Sequence, residues 1–409
     1  GCLHLGRPGR CSRAARPGRH SGRYLNPDAG DRGEIFSDTQ RGPDAGGELL
    51  IQRHVLATAP GKLILMGEHA AVYGRPALVA AVAPRTRVEV NSGEERVRVL
   101  LPDLGLELRT DWPELRRVAD DARERWSSFS RNPTSEAFQA LRDPDPAHLV
   151  RLALGELAVD LGPGLPPVEL RVKSDLPIGS GFGSSAAVSV SLVGGMLCFL
   201  EGDADRSRVD RIALEVERRQ HGMPSGVDHR TVLHGGVVWA ERSPDGELHT
   251  ESVRGGQRLG SSIRVLHTGQ PSETTGDVVS AVRQYASKDP VGFEELLDRM
   301  ESCVRDFRRW LLEESASADQ AIASIRDYEA CLEAIGVVPA PVQEAIREVE
   351  TLGGAAKISG AGALSGEAAG CLLVCWPDRP EVGSPERLSA YNRQQVELGV
   401  PGLSCEVIG

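Results

Sequence analysis

The stretch from Leu176 to Met196 constrains this sequence more than any other. It follows an alternating run at residues 168–172 that predicts a strand, and it continues into small and apolar residues that predict a helix. Between the two elements lie Gly179, Gly181, Gly183, Ser184 and Ser185. Glycines let a backbone approach a bulky anion, and the free N–H groups at a helix start point towards it. The stretch therefore predicts a phosphate-binding loop, with a plain helix cap as the alternative.

Two well-known nucleotide motifs do not fit this loop. No Gly-Lys-Ser/Thr follows the glycines, so the loop is not of the Walker A type. The glycines also lack the Gly-x-Gly-x-x-Gly spacing of a dinucleotide site. Any phosphate site here must therefore be of another kind.

Composition limits the class of protein. The chain has 409 residues, which favours two folded domains, and 40% of them are hydrophobic, enough for a packed core. Its net charge of −11 argues against a nucleic-acid partner, because such proteins usually carry a basic patch. No membrane-spanning segment and no membrane partner are predicted.

Cysteine usage indicates a reducing compartment, and we predict the cytoplasm. The eight cysteines include no Cys-x-x-Cys pair and form no dense framework. Cys371 and Cys375 lie in an apolar run and are predicted to be buried thiols. Basic residues are almost all arginine, and the only lysines are Lys62, Lys173, Lys288 and Lys357.

The first fifty residues differ from the rest of the chain. Six arginines are scattered among Gly, Pro and Ser before residue 24, and no acidic residue precedes Asp28. Without apolar periodicity the segment cannot offset the entropy of ordering. Residues 1–50 are predicted to be a disordered tail, with a targeting segment as the minor alternative. Folded domains are predicted at 51–258 and 259–409.

The rest of the chain is rich in strands at first and in helices later, which predicts an α+β protein. A polar insertion is expected at 111–146. Strands are predicted at 54–58, 77–82, 88–90, 97–108, 168–172, 235–239, 263–268, 371–376 and 404–408. Helices are predicted at 147–161, 209–219, over most of 277–352, and at 385–398.

Two carboxylates near the glycine loop are candidates for chemistry. Asp228 follows a Pro-Ser-Gly-Val turn and could accept a proton from a hydroxyl or orient that hydroxyl for attack. The alternative is an Asp that only caps a turn. Glu217, on a predicted helix beside Arg218 and Arg219, could hold a metal ion or be a solvated surface charge.

Three ordered motifs decide how these residues are interpreted. They are Pro60-Gly-Lys62 with Gly67-Glu-His69, the loop at 177–187, and Lys357-Ile-Ser-Gly-Ala-Gly362. In order and separation they resemble the motifs of the GHMP small-molecule kinases. The resemblance runs from about residue 54 to the C-terminus.

The resemblance implies a fold and a reaction. We expect a two-domain α+β fold, with an N-terminal ATP-loop domain of mixed sheet and helices and a ferredoxin-like C-terminal domain. The active site would lie in the cleft between them and use ATP with Mg²⁺. Residues 67–74 and 217–228 are most similar to the branch that phosphorylates the primary C5 hydroxyl of mevalonate, in isoprenoid precursor synthesis. Families of this kind are often homodimers.

Site residues follow from the resemblance position by position. Asp228 would be the catalytic carboxylate with Lys62 beside it, and Ser185 and Glu217 would hold Mg²⁺. The ATP-binding residues would be Pro177, Gly179, Ser180, Gly181, Phe182, Gly183, Ser184, Ser185, Gly360, Ala361 and Gly362. The acceptor-binding residues would be Lys62, Glu68, His69, Asp228, Thr268 and Thr274.

Some positions depart from the family pattern. Phe182 replaces the usual Leu, and His229 stands where Asn is common, either hydrogen-bonded to Asp228 or only filling space. The third motif continues as Ala363-Leu-Ser-Gly366 instead of a glycine run, so the role of 363–366 is open. The alternatives in function are a phosphomevalonate kinase, a mevalonate 3-kinase, or a non-catalytic ligand sensor of the same fold.

Overall fold

The computed structural model describes residues 53–176, 181–376, 388, 391–394 and 396–408. The predicted tail at 1–50 lies outside the described residues. So do three predicted phosphate-loop residues, Pro177, Gly179 and Ser180.

Two β-sheets and a set of helices make up the described part of the chain. The strands are β1 (Val55–Met66), β2 (Ala77–Ser92), β3 (Val97–Leu101), β4 (Leu106–Thr110), β5 (Val168–Ser174), β6 (Val237–Arg242), β7 (Leu248–Val253), β8 (Ile263–His267), β9 (Ala355–Ser359), β10 (Cys371–Cys375), β11 (Asn392–Gln394) and β12 (Ser404–Val407). The α-helices are α1 (Trp112–Arg131), α2 (Ser135–Gln139), α3 (His148–Leu161), α4 (Ser184–Glu201), α5 (Arg206–His221), α6 (Val227–His234), α7 (Gly256–Ser262), α8 (Thr275–Lys288), α9 (Pro290–Leu312), α10 (Ala318–Ala334) and α11 (Ala340–Thr351). The predicted α+β class is confirmed.

The first sheet has the order β12-β1-β2-β5-β3-β4, with β6 pairing β2 and β7 pairing β6. The second has the order β11-β8-β10-β9. Strand β12 pairs antiparallel with β1, so the last segment of the chain completes the first sheet. The division into domains at 51–258 and 259–409 stays a prediction.

Strand β1 is longer than predicted. Instead of ending at residue 58, it continues through Pro60 and Lys62 to Met66. Its pairing with β2 shifts register between Pro60 and Gly61. Proline cannot donate to a strand ladder, and an irregularity of this kind accommodates it within a sheet. The strand therefore carries Lys62 into the interior.

Helix α4 is apolar on all sides and packs against β1 and β2. By length and composition alone it could cross a membrane, which the prediction of no membrane-spanning segment overlooked. Of this helix, 72% is buried inside the protein, and that burial accounts for its apolar sequence. The predicted burial of Cys371 and Cys375 is confirmed.

Secondary structure differs from the predictions at 392–394, and it is added within the polar insertion. Most of the polar insertion is helix α1, which begins at an Asp111 cap and packs its apolar face against α3. Residues 392–394 form β11, and pairing with β8 prevails there over the helical pattern predicted for 385–398. Most of that predicted helix lies outside the described residues.

Candidate functional site

Lys62 and Asp228 form an ion pair at the centre of the candidate site. Nζ of Lys62 lies 3.1 Å from Oδ2 of Asp228. The Lys62 side chain is only 7% exposed, whereas that of Asp228 is 36% exposed. The pair therefore presents a carboxylate to solvent with a buried ammonium behind it.

The segment before Asp228 is fixed by two side-chain donors. Nε1 of Trp126 on α1 donates to the carbonyl of Gly222 at 2.7 Å, and Arg242 on β6 donates to that of Ser225 at 2.9 Å. Gly226 then starts α6 with a left-handed φ of 81°, so Asp228 lies in the first turn of that helix. Helix α1, within the predicted polar insertion, thus helps to position the candidate catalytic carboxylate.

The glycine loop packs directly on Lys62. The backbone N–H of Lys62 donates to the carbonyl of Phe182 at 2.8 Å, and the Phe182 side chain is buried. Gly183 precedes α4 with a φ of 69°, and a Cβ there would lie 2.5 Å from Cγ of Lys62. The loop and the ammonium therefore occupy adjoining space.

The start of α4 offers hydroxyl and backbone donors. Ser184 and Ser185 form its first turn, and no side chain caps the helix there. Oγ of Ser185 donates to Oε1 of Glu217 at 2.9 Å. Glu217 is only 3% exposed, which excludes the alternative of a solvated surface charge. His221, which the sequence analysis missed, places Nε2 3.2 Å from Oγ of Ser185.

The Ser185–Glu217 pair suits a magnesium ion. A hydroxyl and one carboxylate are hard oxygen donors, and Mg²⁺ is usually held by one or two carboxylates together with waters and substrate phosphates. Among the described residues no group of three or more His, Cys, Asp or Glu side chains forms a closed metal cage. The pair therefore fits an ion that nucleotide phosphates would help to hold.

The third motif lies against the glycine loop. A Cβ at Gly360, where φ is 109°, would lie 3.9 Å from Cα of Gly181. At Gly362 a Cβ would come within 2.2 Å of the Val337 carbonyl, so this position requires glycine. The two glycine-rich segments therefore meet beside the start of α4.

His69 links the first motif to the third. Its Nε2 lies 2.9 Å from the carbonyl O of Ala361, and its φ of 59° is the only positive value among the described non-glycine residues. Burial lowers the pKa of His69 to about 4, and the contact with Ala361 opposes that shift. The imidazole is thus neutral at pH 7 and donates Nε2–H to Ala361. Unusual backbone conformations of this kind concentrate at functional sites.

The stability of the protein is expected to fall at mild acid because of His69. The folded pKa of about 4 lies below the ordinary value of 6.5. The contribution of the neutral imidazole to the free energy of unfolding is therefore complete above pH 6.5 and is lost as pH falls towards 4. A shift of this size corresponds to about 3 kcal/mol of unfolding free energy. Urea unfolding of the wild type and His69→Gln at pH 7 and pH 4 measures it. An equal loss in both proteins would contradict the prediction.

Other predicted acceptor residues have internal partners. Oγ1 of Thr268 donates to the Gly370 carbonyl at 2.9 Å. Thr274 caps α8 and accepts a hydrogen bond from Arg142 at 2.9 Å. Glu68 is 2% exposed and paired with Lys357, so its carboxylate faces the core. The structure thus brings His69 to the third motif and engages the other three elsewhere.

His229 does neither of the two things expected of it. Its Nε2 lies 3.0 Å from Oδ1 of Asp210 on α5, and its side chain is fully buried. A contact with Asp210 links α6 to α5 instead of touching Asp228. Only the packing of the two helices reveals this partner.

Chemically, the arrangement can accept and activate a hydroxyl next to a bound anion. A helix N-terminus with free N–H groups attracts phosphate. The exposed carboxylate of Asp228 can take a proton, and the Lys62 ammonium can stabilise the negative charge that develops. The site therefore suits phosphoryl transfer to an alcohol.

Comparison with known proteins agrees with this geometry. Residues 148–236 match the model of the GHMP kinases N-terminal domain. The mevalonate kinase of Archaeoglobus fulgidus is 28% identical over 332 residues, covering 81% of this chain and 95% of that protein. The mevalonate kinase of Homo sapiens is 29% identical over 394 residues, covering 87% and 96% respectively. The Methanococcus jannaschii mevalonate kinase structure superposes with a TM-score of 0.65 over 87% of this chain and 99% of its own, at 16% identity, which supports the fold.

Proposed function

We propose that this chain, which belongs to the GHMP kinases, transfers the terminal phosphoryl group of ATP to the primary C5 hydroxyl of mevalonate. The observation that supports this most directly is the Lys62–Asp228 ion pair beside the open N-terminus of α4. Mevalonate is favoured as acceptor because the two relatives described above are mevalonate kinases, and this chain matches nearly the whole length of each. We place the reaction in the cytoplasm, in isoprenoid precursor synthesis.

Asp228 and Lys62 would divide the work on the acceptor. The Asp228 carboxylate accepts the hydroxyl proton or orients the hydroxyl for in-line attack on the phosphorus. The Lys62 ammonium, held 3.1 Å away, stabilises the alkoxide that develops. Because Lys62 is buried, little water competes with it, and its charge acts more strongly than at a surface.

The nucleotide phosphates would lie at the start of α4. The first backbone N–H groups of α4 have no acceptor within the helix and no side-chain cap, and Gly360 lies beside Gly181 of the glycine loop. Ser185 and Glu217 would hold Mg²⁺, which neutralises phosphate charge when bound. His69, which contacts Ala361 of the third motif, is proposed to border the acceptor together with Thr268 and Thr274.

A parallel assay of acceptors tests the proposal. ADP release is measured with Mg·ATP and mevalonate, phosphomevalonate, galactose or homoserine, and ³¹P NMR identifies the phosphorylated position. We expect turnover with mevalonate and a product phosphorylated at C5. Turnover on another acceptor, or at C3, would keep the kinase chemistry and overturn the substrate. If ATP binds and none of the acceptors reacts, the non-catalytic sensor is the better description.

A further inference from the structure

A cluster of charged side chains lies in the core behind the candidate site. Lys357 and Glu329 are fully buried, and Glu68 is 2% exposed. Nζ of Lys357 lies 2.5 Å from Oε1 of Glu68 and donates to the carbonyl of Ile358 at 2.6 Å. Buried charges are costly to desolvate, and an apolar pair of similar volume often stabilises a fold as well or better. Stability alone therefore does not explain this pair.

The pair joins two segments that carry site residues. Glu68 follows the end of β1, the strand that carries Lys62, and Lys357 lies on β9, which leads into the third glycine motif. Two further hydrogen bonds cross the same boundary. Oη of Tyr328 donates to the carbonyl of Glu68 at 2.8 Å, and Oγ of Ser359 donates to that of Ile64 at 2.8 Å. Any shift of Glu68 would therefore be felt by the strand that holds Lys62.

Lys62 has a second carboxylate in its neighbourhood. Burial raises the pKa of Glu68, and the charge of Lys357, followed by that of Lys62, opposes the shift. Lys62 thus acts on Glu68 electrostatically, although its ion-pair partner is Asp228 at 3.1 Å. In the observed structure Lys357 forms an ion pair with Glu68, and Lys62 forms one with Asp228.

Glu329 does not compete for Lys357 at neutral pH. Burial raises the pKa of Glu329 to about 8, with Lys357 opposing the shift, so this carboxyl carries a proton at pH 7. Its Oε2 accepts the backbone N–H of Ile358 at 3.1 Å. The ion-pair partner of Lys357 is therefore Glu68.

We propose that Lys357 is a positioning residue for phosphoryl transfer: by holding Glu68 in the core, it keeps the ammonium of Lys62 directed at Asp228. The inference rests on the proposed kinase function for its role in turnover, although the arrangement of the lysines can be tested without it. Lys357 touches neither nucleotide nor acceptor in this account.

Removing the ammonium of Lys357 is the first test. In Lys357→Met, the Glu68 carboxyl stays buried but loses its ion-pair partner, and Lys62 is the other cation that acts on it. We expect Lys62 to be drawn away from Asp228 and kcat to fall about 100-fold at pH 7, the size of loss that a displaced catalytic group can cause. Lys288→Met, the same change at an exposed lysine in the last turn of α8, should leave kcat unchanged.

A second-site change separates this role from simple packing. In Lys357→Met/Glu68→Gln the competing carboxylate is gone, so at least about tenfold of the lost kcat should return at pH 7. The other titratable groups facing Glu68, namely Lys62, Glu329 and Tyr328, are the same in both variants. The difference between the variants therefore isolates Glu68. A packing defect would reduce kcat equally in both variants.

An NMR measurement makes the test independent of turnover. The chain has only four lysines, so protein labelled with [ε-¹³C]lysine gives few signals, and Lys62→Met assigns that of Lys62. The Lys62 signal should move in Lys357→Met at pH 7, return towards the wild-type position in the double variant, and stay in place in Lys288→Met. If the wild type turns over no acceptor, the proposed function fails while this signal still decides the inference.

Three results would overturn the inference. They are wild-type kcat in Lys357→Met, no recovery in the double variant, or a Lys62 signal that does not move. If Lys357→Met does not fold, Lys357→Gln replaces it in the same comparisons, because its amide can still donate to Glu68 without carrying a charge.

Discussion

Asp228→Asn is expected to lower kcat with mevalonate about 10³-fold, within the range that general acid–base catalysis contributes. The amide keeps the size of the side chain, but it accepts no proton and no longer forms an ion pair with Lys62, 3.1 Å away in the wild type. Nucleotide binding should be preserved, because the start of α4 and the Ser185–Glu217 pair are untouched. A coupled assay of ADP release measures kcat, and calorimetry with a non-hydrolysable ATP analogue measures nucleotide affinity.

The matched control is Asp327→Asn, the same change at an exposed aspartate on α10 whose partner is Arg299 on the surface. It should keep wild-type kcat, since exposed ion pairs contribute little. If Asp228→Asn retained most of the activity, Asp228 would not be the catalytic carboxylate. If it lost nucleotide affinity as well, its role would be structural.

Gly183→Ala is expected to lower kcat about 100-fold through displacement of Lys62. A Cβ at this position would lie 2.5 Å from Cγ of Lys62, closer than real Cβ atoms come to other atoms, and 3.1 Å from its Cε. The lysine stem must move, and its ammonium moves away from Asp228. The φ of 69° adds a further cost of about 1–2 kcal/mol for a residue with a Cβ.

Gly105→Ala separates these two effects. Gly105 has a φ of 63°, close to that of Gly183, but a Cβ there would meet nothing within 4 Å. It should therefore show the backbone cost in urea unfolding and full kcat in the assay. Equal kcat in the two variants would contradict the idea that the loop and Lys62 share one tightly packed space.

Much of the site could be predicted from short motifs. The strand at 168–172, the glycines and the helix that follows occur within one stretch of sequence, and the structure confirms the strand and the helix. Helix α5 was also anticipated, which puts Glu217 on the face that meets Ser185. The strand and the two helices could be predicted because alternation, helical spacing and glycine turns are patterns of neighbouring residues.

Other contacts could not be predicted, because they form between distant parts of the chain. Glu68 and Lys357 are 289 positions apart and become partners only when β9 is placed beside the end of β1. His229 meets Asp210 through the packing of α6 on α5, and α1 reaches Gly222 through Trp126. Neither contact leaves a pattern in the sequence around it.

The sequence by itself determined the α+β class, the family resemblance and the residue types of the site, because glycine conformations, helix starts and alternating strands are encoded locally. Only the tertiary structure decided which charges are paired. Lys62 with Asp228 and Lys357 with Glu68 are set by the register of β1 and the burial of all but Asp228. The reason is physical: the strength of an ion pair depends on distance and desolvation, and folding alone fixes both.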